Sequence, residues 1–312
     1  MNAAQVDPFE VVYEDINNFL LDYGWMVGPS ILGGEFDRLK RYCDKTRKSP
    51  PTDATSRLHV ERELNAMMLN ITFHPNYRAA YVYRAKRTIH LVDFSHFIER
   101  AVLHYYKGDY LSCALCLLPA AEGVLRSHYA ASPSASQDTS FKRLSEFLSA
   151  SPGQNPNNQR RDMYGRILSR FLSRWLYSKT QSADFAFSYL NRHYVLHGLG
   201  VESFYRAADC HRLFLFFDIY TDLLGEESGQ HDGPFLPHGP DIDIRVKLYR
   251  QLLSSKEMAL SQVHEQESLL MQEHPNFKCE TDPPSIRRSF EEFAKGMLGL
   301  GLALINKDQD KK

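Results

Sequence analysis

The sequence has few cysteines, no long apolar run and no excess of charge of one sign. Its five cysteines among 312 residues form an odd and scattered set, which fits a reducing compartment better than a disulfide framework. No apolar run approaches the ~18 residues that a membrane-spanning helix needs. The first ten residues carry Asp7 and Glu10 in place of a basic and apolar leader. We therefore expect a cytoplasmic protein without a membrane segment.

The overall charge is close to balance. The chain has 37 basic and 38 acidic side chains, a net charge of -1, and 43% hydrophobic residues. These values are typical of an ordinary globular protein with one large or two modest domains. Any surface that binds nucleic acid must therefore be a local patch.

A metal site has little support in the sequence. Cys113 and Cys116 form a Cys-x-x-Cys pair, but they lie in the apolar run 111–118 without a second pair or a histidine cluster nearby. Both are predicted to be small core residues. The chain also lacks a His-Glu-x-x-His motif, which disfavours a metal hydrolase. We expect no metal and no cofactor.

Apolar residues recur mostly at spacings of three and four, and period-two alternation is scarce, so the sequence predicts an all-α fold. A segment rich in glycine and proline, 225–241, is the best candidate for a linker. The predicted helices cover residues 8–23, 35–43, 57–70, 78–106, 110–129, 141–148, 159–177, 182–197, 203–224, 242–273 and 285–305.

The predicted helix 159–177 carries the clearest basic stripe. Arg166, Arg170 and Arg174 are four residues apart and so fall on one helix face. Such a run is most often a solvated face. The alternative is a surface that follows a phosphate backbone.

The segment 191–198 combines a fixed cation with a proton carrier. Arg192 and His197 are five apart, but spacing alone selects nothing, because Arg206 and His211 have the same spacing. Context distinguishes the first pair, since Asn191, His193 and Gly198 place further polar groups and a helix breaker around it. On a regular helix the two side chains would differ in direction by about 140°. They would meet only at a helix end, at a bulge or across two subunits.

Residues 192–197 resemble the signature of the HEPN superfamily, in which arginine, a polar residue and three more residues precede histidine. The stretches 100–110 and 118–123 are similar to the helices that precede this motif in such proteins. The resemblance covers roughly residues 87–225. It divides the chain into a helical N-terminal region (1–86), a HEPN-like core (87–225), a linker (226–241) and a helical C-terminal region (242–312).

The resemblance implies a bundle of four or more helices that forms a homodimer, with the two motifs facing each other. It also implies a metal-independent ribonuclease, often in toxin or antiphage settings, with RNA as substrate and an antitoxin or regulatory protein as a further partner. Other members of the family only bind nucleotides or proteins.

Each residue of the motif then has an expected role. His197 would transfer the proton and Arg192 would stabilise charge on the phosphate, which are the tasks that cleavage by the RNA 2′-hydroxyl requires. Asn191 or His193 would position the phosphate or ribose, and Glu122 would orient Arg192. The stripe is the expected RNA contact and consists of Arg166, Arg170 and Arg174.

Two other interpretations stay open. The arginine and histidines could simply cap the carbonyl groups of a helix end. Alternatively, the chain could be an inactive binding protein whose C-terminal helix contacts a partner. The apolar stripe of that helix could instead pack on the chain's own core, and it consists of Ile242, Val246, Tyr249 and Leu253.

Overall fold

The computed structural model describes residues 8–29, 31, 33–150, 159–177, 190, 207–229 and 238–273. Within these residues the chain forms ten α-helices and no β-strand, which confirms the all-α prediction. Over the same residues no helix has the length and apolar character needed to cross a bilayer. The helices are α1 (Pro8–Leu20), α2 (Gly33–Lys48), α3 (Ala54–Thr72), α4 (Pro75–Ala85), α5 (Ser95–Lys107), α6 (Tyr110–Ala131), α7 (Phe141–Ser149), α8 (Gln159–Phe171), α9 (Ala207–Ser228) and α10 (Pro240–Glu273).

Helix α9 is the centre of the fold. Nineteen of its 22 residues are buried, and it packs against α3, α4, α6 and α8. A helix that is buried on all sides must be apolar nearly all the way round, and α9 meets this condition with Leu213, Phe214, Leu215, Phe216 and Ile219. The charged residues that interrupt this run therefore need partners inside the protein.

The sequence signals at helix ends are used as expected. The Asp53 side chain accepts a hydrogen bond from the Ser56 backbone nitrogen at 2.8 Å and caps α3. Gly108 ends α5 with a φ of 83°, a left-handed conformation that favours glycine. Asp109 then caps α6 by accepting from the Ser112 nitrogen at 3.1 Å.

The prediction of one helix over 78–106 is wrong. The chain leaves the α-helix after Ala85, forms turns and a short 3-10 helix (Val92–Phe94), and starts α5 at Ser95. His90 adopts a left-handed φ of 65°, and Leu91 after it is fully buried. No glycine or proline marks this break. It allows α4 and α5 to pack separately against α10, and α5 to pack along α6.

One continuous apolar core joins the regions that the sequence analysis divided. It extends from Tyr13 to Leu253, with α1 packed on α8 and α10 packed on α4 and α5. The connection after α9 is shorter than the predicted linker, because α9 continues to Ser228 and α10 begins at Pro240. The helices predicted over 182–197 and 285–305 lie outside the described residues.

Candidate functional site

The predicted catalytic segment lies outside the described residues. This applies to Asn191, Arg192, His193 and His197. Leu190, immediately before them, is buried with 1% of its surface exposed, and the next described helix, α9, begins at Ala207. The roles assigned to the segment's side chains stay predictions.

Glu122 lies on α6, and its side chain is 18% exposed. The Nε and Nη2 atoms of Arg126 lie 3.0 Å and 2.9 Å from its Oε1 atom. Arg126 also donates from Nη1 to the Thr139 hydroxyl. A carboxylate in so apolar a helix needs a partner, and Arg126 is one such partner. The orientation of Arg192 by Glu122 remains a prediction.

The arginine stripe is exposed but paired. The side chains of Arg166 and Arg174 are 46% and 47% exposed. The stripe runs beside α1 and the 3-10 helix that follows it (Leu21–Tyr23), in a constant register of 152 residues. Arg166 donates two hydrogen bonds to the carboxylate of Glu14, from Nε at 2.8 Å and from Nη2 at 2.9 Å. The pairs are Arg166 with Glu14, Arg170 with Asn18, and Arg174 with Asp22.

This pairing limits how the arginine stripe could bind RNA. Two of its three arginines already face carboxylates, and Arg160 extends the row by lying 3.3 Å from Glu10. Helix α1 is held in place by Tyr13, Ile16 and Leu20, which are buried in the core. A phosphate would therefore have to displace side chains of an anchored helix. The RNA contact predicted for Arg166, Arg170 and Arg174 stays a prediction, and it carries this energetic penalty.

A row of buried ionic contacts follows the central helix α9. Arg212 lies 2.8 Å from the carboxylate of Asp209 and 3.6 Å from that of Glu61. Further along, the carboxylates of α9 pair with arginines of α4, as Asp218 does with Arg78 and Asp222 with Arg84. This row is not among the sites predicted from the sequence, although charged residues four apart in an apolar helix are a recognisable signal.

Burial controls the acidity of the two α4-facing carboxylates. Burial raises the pKa of Asp218 to about 6, although the charge and hydrogen bonds of Arg78 act in the opposite direction. Burial also raises the pKa of Asp222, against the effect of Arg84. These are strongly perturbed acids, but they are fully enclosed. Their geometry indicates structural ion pairs that join α4 to α9.

A second polar cluster joins the ends of α6, α8 and α9. His128 has its Nδ1 atom 2.7 Å from the Tyr220 hydroxyl and its Nε2 atom 2.7 Å from Glu227. Glu227 also accepts from the Nε atom of Arg161 at 2.7 Å. The ring of His90 stacks on His128 with centroids 5.2 Å apart. Burial and the neighbouring His128 lower the pKa of His90.

The remaining sequence predictions concern core positions. The apolar stripe of α10 is buried in the chain's own core, so the interpretation of this stripe as a partner surface is wrong. It consists of Ile242, Val246, Tyr249 and Leu253. Cys113 is fully buried as predicted, whereas Cys116 is half-buried. No group of three or more potential metal ligands is found in the ranges that the structure describes.

His211, the histidine of the competing Arg206–His211 spacing, is a core residue. Its Nδ1 atom lies 2.6 Å from the Thr72 hydroxyl, and the side chain is fully buried. Burial lowers the pKa of His211 well below its ordinary value. Such a histidine is neutral and shielded, which makes it unsuitable for exchanging protons with a large substrate.

Comparison of the chain with models of protein families, with curated proteins and with solved structures finds no match.

Proposed function

We propose that this protein is a metal-independent endoribonuclease of the HEPN type. The observation that carries the proposal is the combination of Arg192 and His197 with Asn191, His193 and Gly198 in one short segment. The described part of the chain is all-α, the fold class that the resemblance implies. The burial of His211 also supports the choice of Arg192 and His197 over the second pair of equal spacing.

The proposed reaction uses the nucleophile that RNA itself carries. The 2′-oxygen attacks the adjacent phosphorus, its proton passes to His197, and the bond from phosphorus to the 5′-oxygen breaks. The leaving 5′-oxygen takes up a proton, which gives a 2′,3′-cyclic phosphate and a 5′-hydroxyl. Arg192 donates charge-assisted hydrogen bonds to the phosphate oxygens as negative charge accumulates there.

Histidine suits the proton transfer because its ordinary pKa of about 6.5 is close to neutral pH. Asn191 and His193 would position the phosphate or ribose, and Glu122 would orient Arg192. The poor convergence of positions five apart on a regular helix favours a site shared between two subunits. We therefore include a homodimer in the proposal. A toxin or antiphage role, with an antitoxin or regulatory partner, follows from the resemblance alone.

The test is cleavage of a labelled single-stranded RNA by the purified full-length protein in the presence of a chelator. We expect cyclic-phosphate ends, no cleavage of the DNA of the same sequence, and loss of activity in Arg192→Ala/His197→Ala. The matched control is His59→Ala/Arg62→Ala, which removes the same residue types from an exposed face of α3. Cleavage only with added metal, or equal activity of the two double variants, contradicts the proposal.

A catalytically inactive binding module is the competing function. It predicts that the protein binds RNA, nucleotides or proteins without cutting RNA. Growth of cells after induced expression distinguishes the ribonuclease from the binding module, because toxicity that disappears in His197→Ala requires the chemistry of that residue. Sedimentation of the parent protein tests the homodimer independently of activity.

A further inference from the structure

Helix α2 carries a row of exposed cations that differs from the paired stripe of α8. Its members are spaced by three, four and three residues, so they lie on one helix face. That face points away from Leu39 and Cys43, which are fully buried. All four side chains are exposed. We name this surface the α2 basic face, and it consists of Arg38, Arg41, Lys45 and Lys48.

The four cations of the α2 basic face are unpaired within the part of the chain that the structure describes. Within the described ranges, none of them forms an ion pair or a side-chain hydrogen bond. The other two basic residues of α2 do, since Lys40 bonds to Asp44 at 2.7 Å and Arg47 pairs with Asp15. The acids of α2 lie beside the row, and Asp44 is near enough to Lys48 for that lysine to lower its pKa. The helix as a whole still carries three more positive than negative side chains, in a chain whose net charge is -1.

Ordinary helix stabilisation does not account for this row. Cations in the last turn complement the helix dipole, which explains Lys45 and Lys48. Arg38 and Arg41 lie before the last turn, where the dipole contributes little. Four like charges within roughly 15 Å, at about 1.5 Å per residue, repel each other. An external polyanion would remove that repulsion.

The chemistry of the face selects the kind of polyanion. No large apolar side chain is exposed on the described part of α2, so the helix offers nothing to insert into a lipid bilayer. Evenly spaced and extended cations fit a regular row of phosphates. Each strand of double-stranded DNA carries one phosphate per about 3.4 Å of helix axis, so a row of this length can face several phosphates.

We propose that the α2 basic face binds the phosphodiester backbone of RNA without regard to sequence. This inference rests on the proposed function, because it names the surface that holds the substrate of that ribonuclease. It moves the main backbone contact from Arg166, Arg170 and Arg174, which face acceptors on α1 and on the 3-10 helix that follows it, to a surface whose cations are available. The residues concerned lie outside the stretch 87–225 that resembles a known family.

The test measures binding of a fully 2′-O-methylated single-stranded RNA to the full-length protein across a range of salt concentrations. This RNA lacks the nucleophile, so binding is measured without cleavage. The binding constant falls with salt with a slope of about -0.7 for each phosphate contact on a single strand, so four contacts contribute about -2.8. That slope corresponds to a roughly 600-fold loss of affinity for a tenfold increase in salt.

The variant R38Q/R41Q/K45Q/K48Q should lose the contribution of about -2.8 to the salt slope, and R38Q/R41Q should lose about half of that contribution. Glutamine retains helix propensity, so α2 should still form. The matched control neutralises four exposed cations of α3, α5 and α10, in R62Q/R100Q/K107Q/K247Q. It should keep the slope of the parent protein. Thermal unfolding of each variant verifies that the fold is intact.

Several outcomes overturn the inference. They are a parent protein that does not bind this RNA, equal slopes in the α2 variant and the control, or an α2 variant that loses binding to polyglutamate but not to RNA. The last result would identify an acidic protein as the partner. Cleavage of ordinary RNA is measured separately. A parent that binds through α2 but never cuts contradicts the proposed function alone, whereas a parent that cuts without using α2 contradicts this inference alone.

Discussion

Arg78 and Asp218 form a buried ion pair in which both Nη atoms of the arginine donate to the two carboxylate oxygens. Their side chains are only 2% and 3% exposed, and the pair joins α4 to the central helix α9. The guanidinium group also lies 4.7 Å from the ring centre of Tyr77 and 5.1 Å from that of Phe214. A charge in this position is tolerated only because its partner is in place.

Removing one member of this pair should destabilise the protein strongly. We expect Arg78→Ala to lower the free energy of unfolding by about 3–5 kcal/mol, because it leaves the carboxylate of Asp218 buried without its counterion. Arg166→Ala breaks the exposed pair with Glu14 and should lower it by less than about 1 kcal/mol. Urea unfolding at neutral pH measures both. Equal losses of unfolding free energy in the two variants would show that the buried pair contributes no more to stability than the exposed one.

The titration of Asp218 offers a more direct measurement. Burial raises its pKa from the ordinary 3.8 to about 6, so the folded state holds the proton more tightly than the unfolded state does. The stability from this group is therefore fully present below about pH 3.8 and is lost as the pH rises through about 6. Carbon-13 NMR of labelled aspartate should show one carboxyl titrating near pH 6, absent in Asp218→Asn. Titration below 3.8 would mean that Arg78 outweighs burial.

Glu227 should show the opposite pH dependence. Burial alone would raise its pKa, but hydrogen bonds from His128 and Arg161 outweigh burial and hold the pKa below its ordinary 4.5. Its contribution to stability is thus present above that value and is lost as the pH falls through the lowered pKa. Glu227→Gln should lower the free energy of unfolding by about 1.5–3 kcal/mol at neutral pH. The difference from the parent should shrink below pH 4.5, and a constant difference would contradict this assignment.

Gly165 is needed where α8 crosses α7. A Cβ atom at this position would lie 2.0 Å from the carbonyl oxygen of Leu148, a backbone atom that cannot move aside easily. Gly165→Ala should destabilise the protein by about 1–3 kcal/mol through overpacking. Gly34→Ala is the control, because a Cβ atom there has no neighbour within 4 Å among the described atoms, and alanine favours the helix. Thermal unfolding of both variants measures the difference. A Gly165→Ala variant more stable than the parent would contradict the close packing of α8 on α7.

Local features were readable from the sequence because they depend on neighbours along the chain. The spacing of Ile242, Val246, Tyr249 and Leu253 predicts an apolar helix face, and that face is buried. The contact of Glu122 with Arg126 follows from the i, i+4 geometry of a helix. The break between α4 and α5 has no such local signal, since His90 adopts a left-handed conformation within a run that lacks glycine and proline.

By itself, the sequence determined that the protein is all-α and which residues form most of its helices. Only the tertiary structure decided which charges are neutralised. Arg166 meets Glu14 and Arg78 meets Asp218 because separate helices pack in one particular register, across 152 and 140 residues of chain. Helix periodicity determines on which face of its own helix a charge lies, but not which other helix packs against that face. The same packing leaves Arg38 and Arg41 exposed on α2, whereas Arg166 and Arg174 on the α8 side are paired with carboxylates.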